Sequence, residues 1–288
     1  MKSKIATHII EIIERLQDRG FETYVVGGAV RDFLLGRQPK DYDISTAATP
    51  EEIRHIFGRG RARIIGKRFR LVHLYSDREI IEVSTFRKKP GAEAAAAETG
   101  EQEAAPQPPR HGHRRDRSHS HVRQPLPENM LLDDNVFGSA EEDVWRRDFT
   151  ANAIFYDPVK HEYIDFTGLG LQDVKNKVVR AVGVPGVRFE EDPVRMLRAL
   201  KLVGQYGFTL EEETGKALAE KMDLINHASN SRLSLELEKI LKNSYSHRIL
   251  EAFQKHGFLR HFLPFLDKRW EAVPLERLEY PVRVGVPE

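Results

Sequence analysis

The chain has 288 residues, no cysteine, and 45 Lys and Arg against 44 Asp and Glu, for a formal net charge of +1. The missing cysteines exclude disulfides, thiolate metal sites and cysteine nucleophiles. The even charge balance excludes a globally basic footprint, so any nucleic-acid contact must come from local clusters such as Arg59 to Arg63, Lys67 to Arg70 and Arg146-Arg147.

In chain order, Ile5, Ile9, Ile12, Ile13 and Leu16 recur at helical spacing among Glu11, Glu14 and Arg15. That pattern predicts an amphipathic helix and not a signal peptide. No apolar run approaches the roughly 20 residues of a membrane span, so a soluble, cytoplasmic protein with no membrane partner is expected. Tyr24 to Val26 reads as a buried strand, followed by a helix near Val30 to Leu35, a strand at Tyr42 to Thr46, and a helix over Pro50 to Phe57 with Thr49 as its cap. Strands are predicted at Leu71 to Tyr75 and Ile80 to Phe86. Between about Lys88 and Glu128, Ala, Glu, Pro, Gln, His and Arg replace nearly all large apolar residues, so a low-complexity insert is expected. Its His111, His113, His119 and His121 sit among prolines and arginines, which suits a weakly RNA-attracting loop better than a structural metal site.

A helix near Ala140 to Arg147 comes next, then a strand pair at Glu162 to Phe166 and Val178 to Val182 around a Gly168-Leu169-Gly170 turn. Helical patterns follow at Pro193 to Tyr206, Glu211 to Met222, Ser234 to Asn243 and Ser246 to His256. The expected class is α+β, a small mixed sheet with flanking helices followed by an all-α portion. The expected division is 1–182, 183–268 and an irregular tail over 269–288.

The chemistry concentrates in four places. After the Tyr24-Val25-Val26 strand, Gly27-Gly28 lets the backbone approach a polyphosphate, with Arg31 close behind. Asp41 and Asp43 are two apart on a predicted strand, so both carboxylates share one face while Tyr42 points away. Two hard oxygen ligands so placed suit Mg²⁺. Glu82, with Ile81 and Val83 on the opposite face of its strand, is the candidate third carboxylate of a site that could hold two metals about 4 Å apart. Arg147 and Asp148 supply a guanidinium fork for phosphate oxygens and a carboxylate beside it. Asp192, Arg195 and Arg198 are spaced three apart, which on one helix would put an acceptor and donors on one face and allow a base edge to be read without a template. Asp192-Pro193 is also an ordinary helix start, and Asp192 can serve both ends.

This ordered series, Gly27 to Asp32, Lys40 to Asp43, Arg146 to Ala153 and Glu191 to Arg198, resembles the class II nucleotidyltransferases, the group of CCA-adding tRNA nucleotidyltransferases and bacterial poly(A) polymerases. The resemblance implies a nucleotidyltransferase head, a helical neck and a shortened helical body. It implies catalytic roles for Asp41, Asp43 and Asp148, with Mg²⁺ on Asp41 and Asp43, and Glu82 joins them as a catalytic candidate on its strand position alone. It further implies nucleotide contacts from Gly27, Gly28, Arg31, Arg147, Asp192, Arg195 and Arg198. The segments Ile64 to Leu74 and Met130 to Asp143 are similar to the poly(A) polymerase pattern. The first carries Lys67, Arg68 and Arg70 around Phe69, a combination suited to RNA backbone and base stacking. ATP and an RNA 3′ end are therefore the expected partners. CCA addition to tRNA, which shares every catalytic motif, and a non-catalytic RNA-binding relic are the alternatives; oligomeric state is open.

Overall fold

The computed structural model describes residues 5–66, 70–76, 79–88 and 136–270. Lys67, Arg68, nearly all of the low-complexity stretch with its histidines, and the tail from 271 onward lie outside the described residues.

The predicted amphipathic helix forms as α1 (Thr7–Gln17), burying Ile9, Ile12, Ile13 and Leu16. Strand β1 (Thr23–Val26) runs into α2 (Gly28–Leu34), and β2 (Asp43–Thr46) leads to α3 (Pro50–Phe57). A reciprocal capping box between Thr49 and Glu52 starts α3, with proline at the first turn. Strands β3 (Ala62–Ile65), β4 (Leu71–Tyr75) and β5 (Ile80–Thr85) form a meander, and β3 has no counterpart among the predicted strands. After α4 (Ala140–Trp145) come β6 (Phe155–Asp157) and β7 (Glu162–Ile164). These seven strands make one sheet in the order β3-β4-β5-β2-β1-β6-β7. Only β2 and β5 pair in parallel, with Asp43 beside Glu82 and Ser45 beside Ser84. Along β5 the alternation is clean: Ile81, Val83 and Thr85 are buried while Glu82 is exposed.

The expected pairing of residues 162–166 with 178–182 is incorrect. Residues 162–164 pair with β6, and the Gly168-Leu169-Gly170 turn instead leads into a helix, α5 (Gly170–Asn176). Asp165 Oδ2 accepts the Leu171 N–H at 3.0 Å, and Thr167 Oγ1 accepts the Gly170 N–H at 3.1 Å. Those two side chains satisfy orphan donors at the helix start, which the turn reading overlooked. Strand β8 (Val178–Val179) then pairs in parallel with β9 (Thr209–Leu210), 31 positions away, in a separate two-stranded sheet.

The remainder is helical: α6 (Pro185–Glu191), α7 (Val194–Tyr206), α8 (Glu212–Lys221), α9 (Asn230–Leu241), α10 (Ser246–Lys255), α11 (Leu259–Phe262) and α12 (Pro264–Asp267). Helix α6 was not anticipated, and α9 begins four residues earlier than its hydrophobic pattern. One apolar cluster joins Ile9, Val25, Ile44 and Val83 of the sheet region to Leu197, Leu200, Ile249 and Phe253 of the helices. Helices α7 and α10 meet closely at Gly204, where a Cβ would lie 2.6 Å from the Arg248 carbonyl oxygen and 2.7 Å from the Ile249 nitrogen. Gly204→Ala should therefore destabilise the protein by about 1–3 kcal/mol in urea unfolding; an unchanged midpoint would contradict this close approach. Among the described residues no helix is long and apolar enough to cross a membrane.

Candidate active site

The sheet and α7 face each other across a polar cleft of about 610 Å³, lined by Gly27, Asp43, Glu82, Arg147, Asp148 and Arg198 among others. An adjoining cleft of about 820 Å³ shares Gly28, Arg31, Asp43, Asn152 and Arg198 with it and reaches Asp41. Nearly every residue predicted for the site thus comes to one continuous surface. Arg70 is the exception among the described ones: it pairs with Glu51 on α3 and is not in the cleft wall.

Gly27 has φ 73° and ψ −137°, a conformation that only glycine adopts readily, and a Cβ there would stand 3.6 Å from Asp43 Oδ2. The turn therefore brings bare backbone to the carboxylates. Asp43 opens β2, and Asp41 lies in the bend before it; both are exposed, while Tyr42 between them is buried against Phe33, with ring centroids 6.0 Å apart. The anticipated alternation holds although the regular strand starts at Asp43. Register places Glu82 directly beside Asp43 on the open face, and His73 of β4 stands 3.7 Å from Glu82.

Asp43 is reached by solvent through the cleft yet surrounded by protein. Its pKa is raised, first by withdrawal from bulk water and then by Glu82 and Asp41, against the lowering influence of Arg147 and Arg198. Neither Asp41 nor Asp43 makes a hydrogen bond or ion pair with any described residue. Acceptor-only oxygens that repel one another in this way fit a hard divalent cation. Among the described residues no group of three His, Cys, Asp or Glu side chains is gathered tightly enough to hold a metal by itself, so ligand oxygens would have to complete such a site.

The opposite wall is cationic. Arg147 donates through Nη2 to Ser45 Oγ at 3.1 Å and to Asp143 Oδ2 at 2.6 Å, and its guanidinium stacks 5.0 Å from the Phe155 ring centroid. Asp143 is fully buried and also accepts from Arg146 at 2.7 Å. Burial would raise its pKa, but the two guanidinium groups prevail and lower it. This carboxylate was not among the predicted site residues; the spacing Asp143, Arg146, Arg147 along one helix face was the available signal. Asp148 is buried, accepts the Phe149 N–H at 2.8 Å and the Asn152 amide at 3.2 Å, and ion-pairs with Arg198 at 2.9 Å. Burial raises its pKa, and Arg198 with those donors more than compensates, so it lies below the ordinary carboxylate value.

Arg31 lines the cleft but is largely committed to protein. It donates to Asn152 at 2.7 Å, to Asp32 at 2.8 and 3.1 Å, and to the Tyr206 hydroxyl at 2.7 Å, with its guanidinium 4.3 Å from that ring. The expectation that Asp192, Arg195 and Arg198 share one helical face needs correction. Helix α7 starts at Val194, and Asp192 precedes it in extended conformation, because its Oδ1 accepts the Val194 N–H at 3.2 Å. Its Oδ2 meets Arg232 of α9 at 2.7 Å. Arg195 and Arg198 alone present from the helix.

A model of the poly(A) polymerase head domain matches residues 23–180, more than half of the chain. The chain belongs to this nucleotidyltransferase family. A second model, a probable RNA- and SrmB-binding site of polymerase A, matches residues 207–269. Poly(A) polymerase I of Escherichia coli O6:H1 is 35% identical over 96% of the chain and 55% of its own length. A CCA-adding enzyme of Geobacillus sp. is also 35% identical, over 90% of the chain and 55% of its own length. The chain thus spans about half the length of the curated relatives it matches. In structure it resembles the Bacillus stearothermophilus CCA-adding enzyme in complex with CTP, at a TM-score of 0.70 and 29% identity over 93% of this chain and 56% of that one. A tRNA nucleotidyltransferase complexed with a primer tRNA and an incoming ATP analog gives a TM-score of 0.63 at 27% identity, over 91% and 66%. The mixed sheet with flanking helices is the nucleotidyltransferase head fold.

Proposed function

We propose that the chain carries the transfer centre of a template-independent RNA 3′-end adenylyltransferase, adding AMP from ATP and releasing pyrophosphate, as a cytoplasmic poly(A) polymerase does. The observation that carries the reading is the opposition, in one cleft, of Asp43 and Glu82 on adjacent parallel strands to Arg147 and Arg198. A triphosphate fits between a wall that attracts cations and a wall that attracts phosphate oxygens. The choice of adenosine is supported by the poly(A) polymerase-like segment Ile64 to Leu74 and by the coverage of the Escherichia coli relative.

Asp41 and Asp43 would hold Mg²⁺, with Glu82 as the neighbouring carboxylate. When bound, such a cation neutralises phosphate charge and lowers the pKa of the attacking hydroxyl. Arg147 and Arg198 contact phosphate oxygens, Asp148 steers Arg198, and Asp192 with Arg195 faces the base. Gly27 and Gly28 let the triphosphate approach the backbone, and Arg31 holds that turn against α7. The acceptor 3′ oxygen bonds to the α-phosphorus, the bond to the bridging oxygen breaks, and pyrophosphate leaves with that electron pair while the hydroxyl proton passes to water. Residues 1–182 act as the head, and 183–268 as a neck and partial body that hold nucleotide and RNA, with Lys67, Arg68 and Arg70 as further RNA contacts.

The test supplies labelled ATP or CTP with tRNA lacking its CCA end and with an unrelated RNA. A-only tails on both acceptors are expected. Ordered CTP incorporation into the tRNA would instead identify a CCA-adding activity.

A further inference from the structure

Two buried arginines bind the Arg146-Arg147-Asp148 segment to the start of α7. Arg188, on α6, is only 4% exposed. Its Nη2 donates to the Arg147 carbonyl oxygen at 2.6 Å, and its Nη1 donates to Glu191 Oε2. Arg195 uses the same oxygen, at 3.2 Å, and its Nη1 also reaches the Arg188 carbonyl at 3.1 Å. Its Nη2 donates to the Arg146 carbonyl at 3.1 Å. One carboxylate therefore serves two buried cations, whose guanidinium groups also hold consecutive carbonyls of a segment more than 40 residues away in sequence.

Such a cluster is a poor means of gaining stability, because desolvating three charges consumes most of what their attraction returns. Burial and the like charge of Arg195 push Arg188 down to about 10, with Glu191 opposing, so it stays charged at neutral pH. What the cluster does supply is direction. A guanidinium has five N–H donors in a rigid plane, and the three bonds from Arg195 to protein set the plane that it takes in the cleft wall.

We infer that Arg188 is a positioning residue for nucleotide choice: by gripping Glu191 and the Arg147 carbonyl it fixes the plane of Arg195 relative to Asp192. The inference rests on the proposed reading that Arg195 and Asp192 face the base. Adenine and cytosine both offer a ring-nitrogen acceptor beside an amino donor, so telling them apart depends on where those two protein groups stand and not on their chemical type.

The experiment compares wild type with Arg188→Met, Arg188→Lys and Glu191→Gln. It measures ATP and CTP dissociation constants by competition with a fluorescent ATP analogue in Mg²⁺, together with kcat and KM for each nucleotide on an RNA oligonucleotide. Arg188→Met should lower the ATP-to-CTP preference about tenfold, chiefly through weaker ATP binding and a higher KM. Arg188→Lys, which keeps the charge without the fork, should fall in between. Equal losses for both nucleotides, or a lower unfolding midpoint with an unchanged preference, would overturn the inference. Should Arg188→Met fail to fold, the same criterion applies to Arg188→Lys and Glu191→Gln, where an unchanged preference overturns it. Wild type that binds neither nucleotide would defeat the functional reading itself, whereas wild type that prefers ATP beside variants that still prefer it equally would defeat this inference alone.

Discussion

Asp43→Asn is expected to incorporate AMP at least about a thousandfold more slowly than wild type, the scale on which removing a group that stabilises transition-state charge acts. The same variant should unfold at a higher midpoint at pH 7. Asp43 has a folded-state pKa above its ordinary value because of desolvation, Glu82 and Asp41. The folded protein therefore binds that proton more tightly than the unfolded chain does. Stability from this group is greatest below the unfolded pKa and is lost as pH rises through the folded pKa, so the ionised carboxylate is a liability at neutral pH that asparagine removes. Activity and stability would then move in opposite directions, as expected where a fold holds like charges together for function. Incorporation of labelled ATP and thermal unfolding by circular dichroism test both halves. Wild-type incorporation rates in Asp43→Asn, or in the Asp41→Ala/Asp43→Ala double variant with its fold intact, would refute the assigned chemistry.

Asp143→Ala should produce the largest loss of stability, about 3–5 kcal/mol, the usual cost of leaving buried partners of an ion pair uncompensated. Asp143 is fully buried, binds both Arg146 and Arg147, and accepts the Arg87 N–H at 3.1 Å. Its removal leaves two partly buried guanidinium groups without their carboxylate and frees Arg147 from the direction that points it at Ser45. The pH dependence has the opposite sign to that of Asp43. The folded pKa is depressed below the ordinary 3.8, so the contribution is complete above that value and disappears as pH falls through the folded pKa. Urea unfolding at pH 7 and acid unfolding below about pH 4 should both separate wild type from Asp143→Ala. A difference under about 1 kcal/mol at pH 7 would show the carboxylate to be dispensable.

The placement of Asp41, Asp43, Glu82 and Gly27 could be read from the sequence because it depends on local geometry. Alternation along a strand puts Asp43 and Glu82 on open faces, and a turn at φ 73° requires glycine whatever surrounds it. The same locality explains the success at α1 and α3, where apolar spacing and a capping box lie within a single turn or two. The errors arose where a partner is distant or where a local side-chain cap resembles another pattern. Strand β8 has two residues and finds its partner at Thr209–Leu210, far outside any window of periodicity. Helix α5 begins on side-chain bonds from Asp165 and Thr167 that look, in sequence, like an ordinary glycine turn. Asp192 fell off the predicted helical face because its own cap bond to Val194 ends the regular backbone there.

The sequence by itself determined which groups can do chemistry here: carboxylates two apart, a glycine turn, and arginines beside Asp148. It also determined the alternation and caps that put them on a sheet and a helix. Only the tertiary structure decided which of those groups are free to act. Arg31 and Arg195 are largely spent on protein, Asp148 is an anchor for Arg198, and Asp143 and Arg188 hold the frame. The physical reason is that a charged side chain has few hydrogen-bonding positions, and several of the neighbours that occupy them come from segments tens to more than a hundred residues away. Spacing along the chain reports direction; it does not report which bonds are already made.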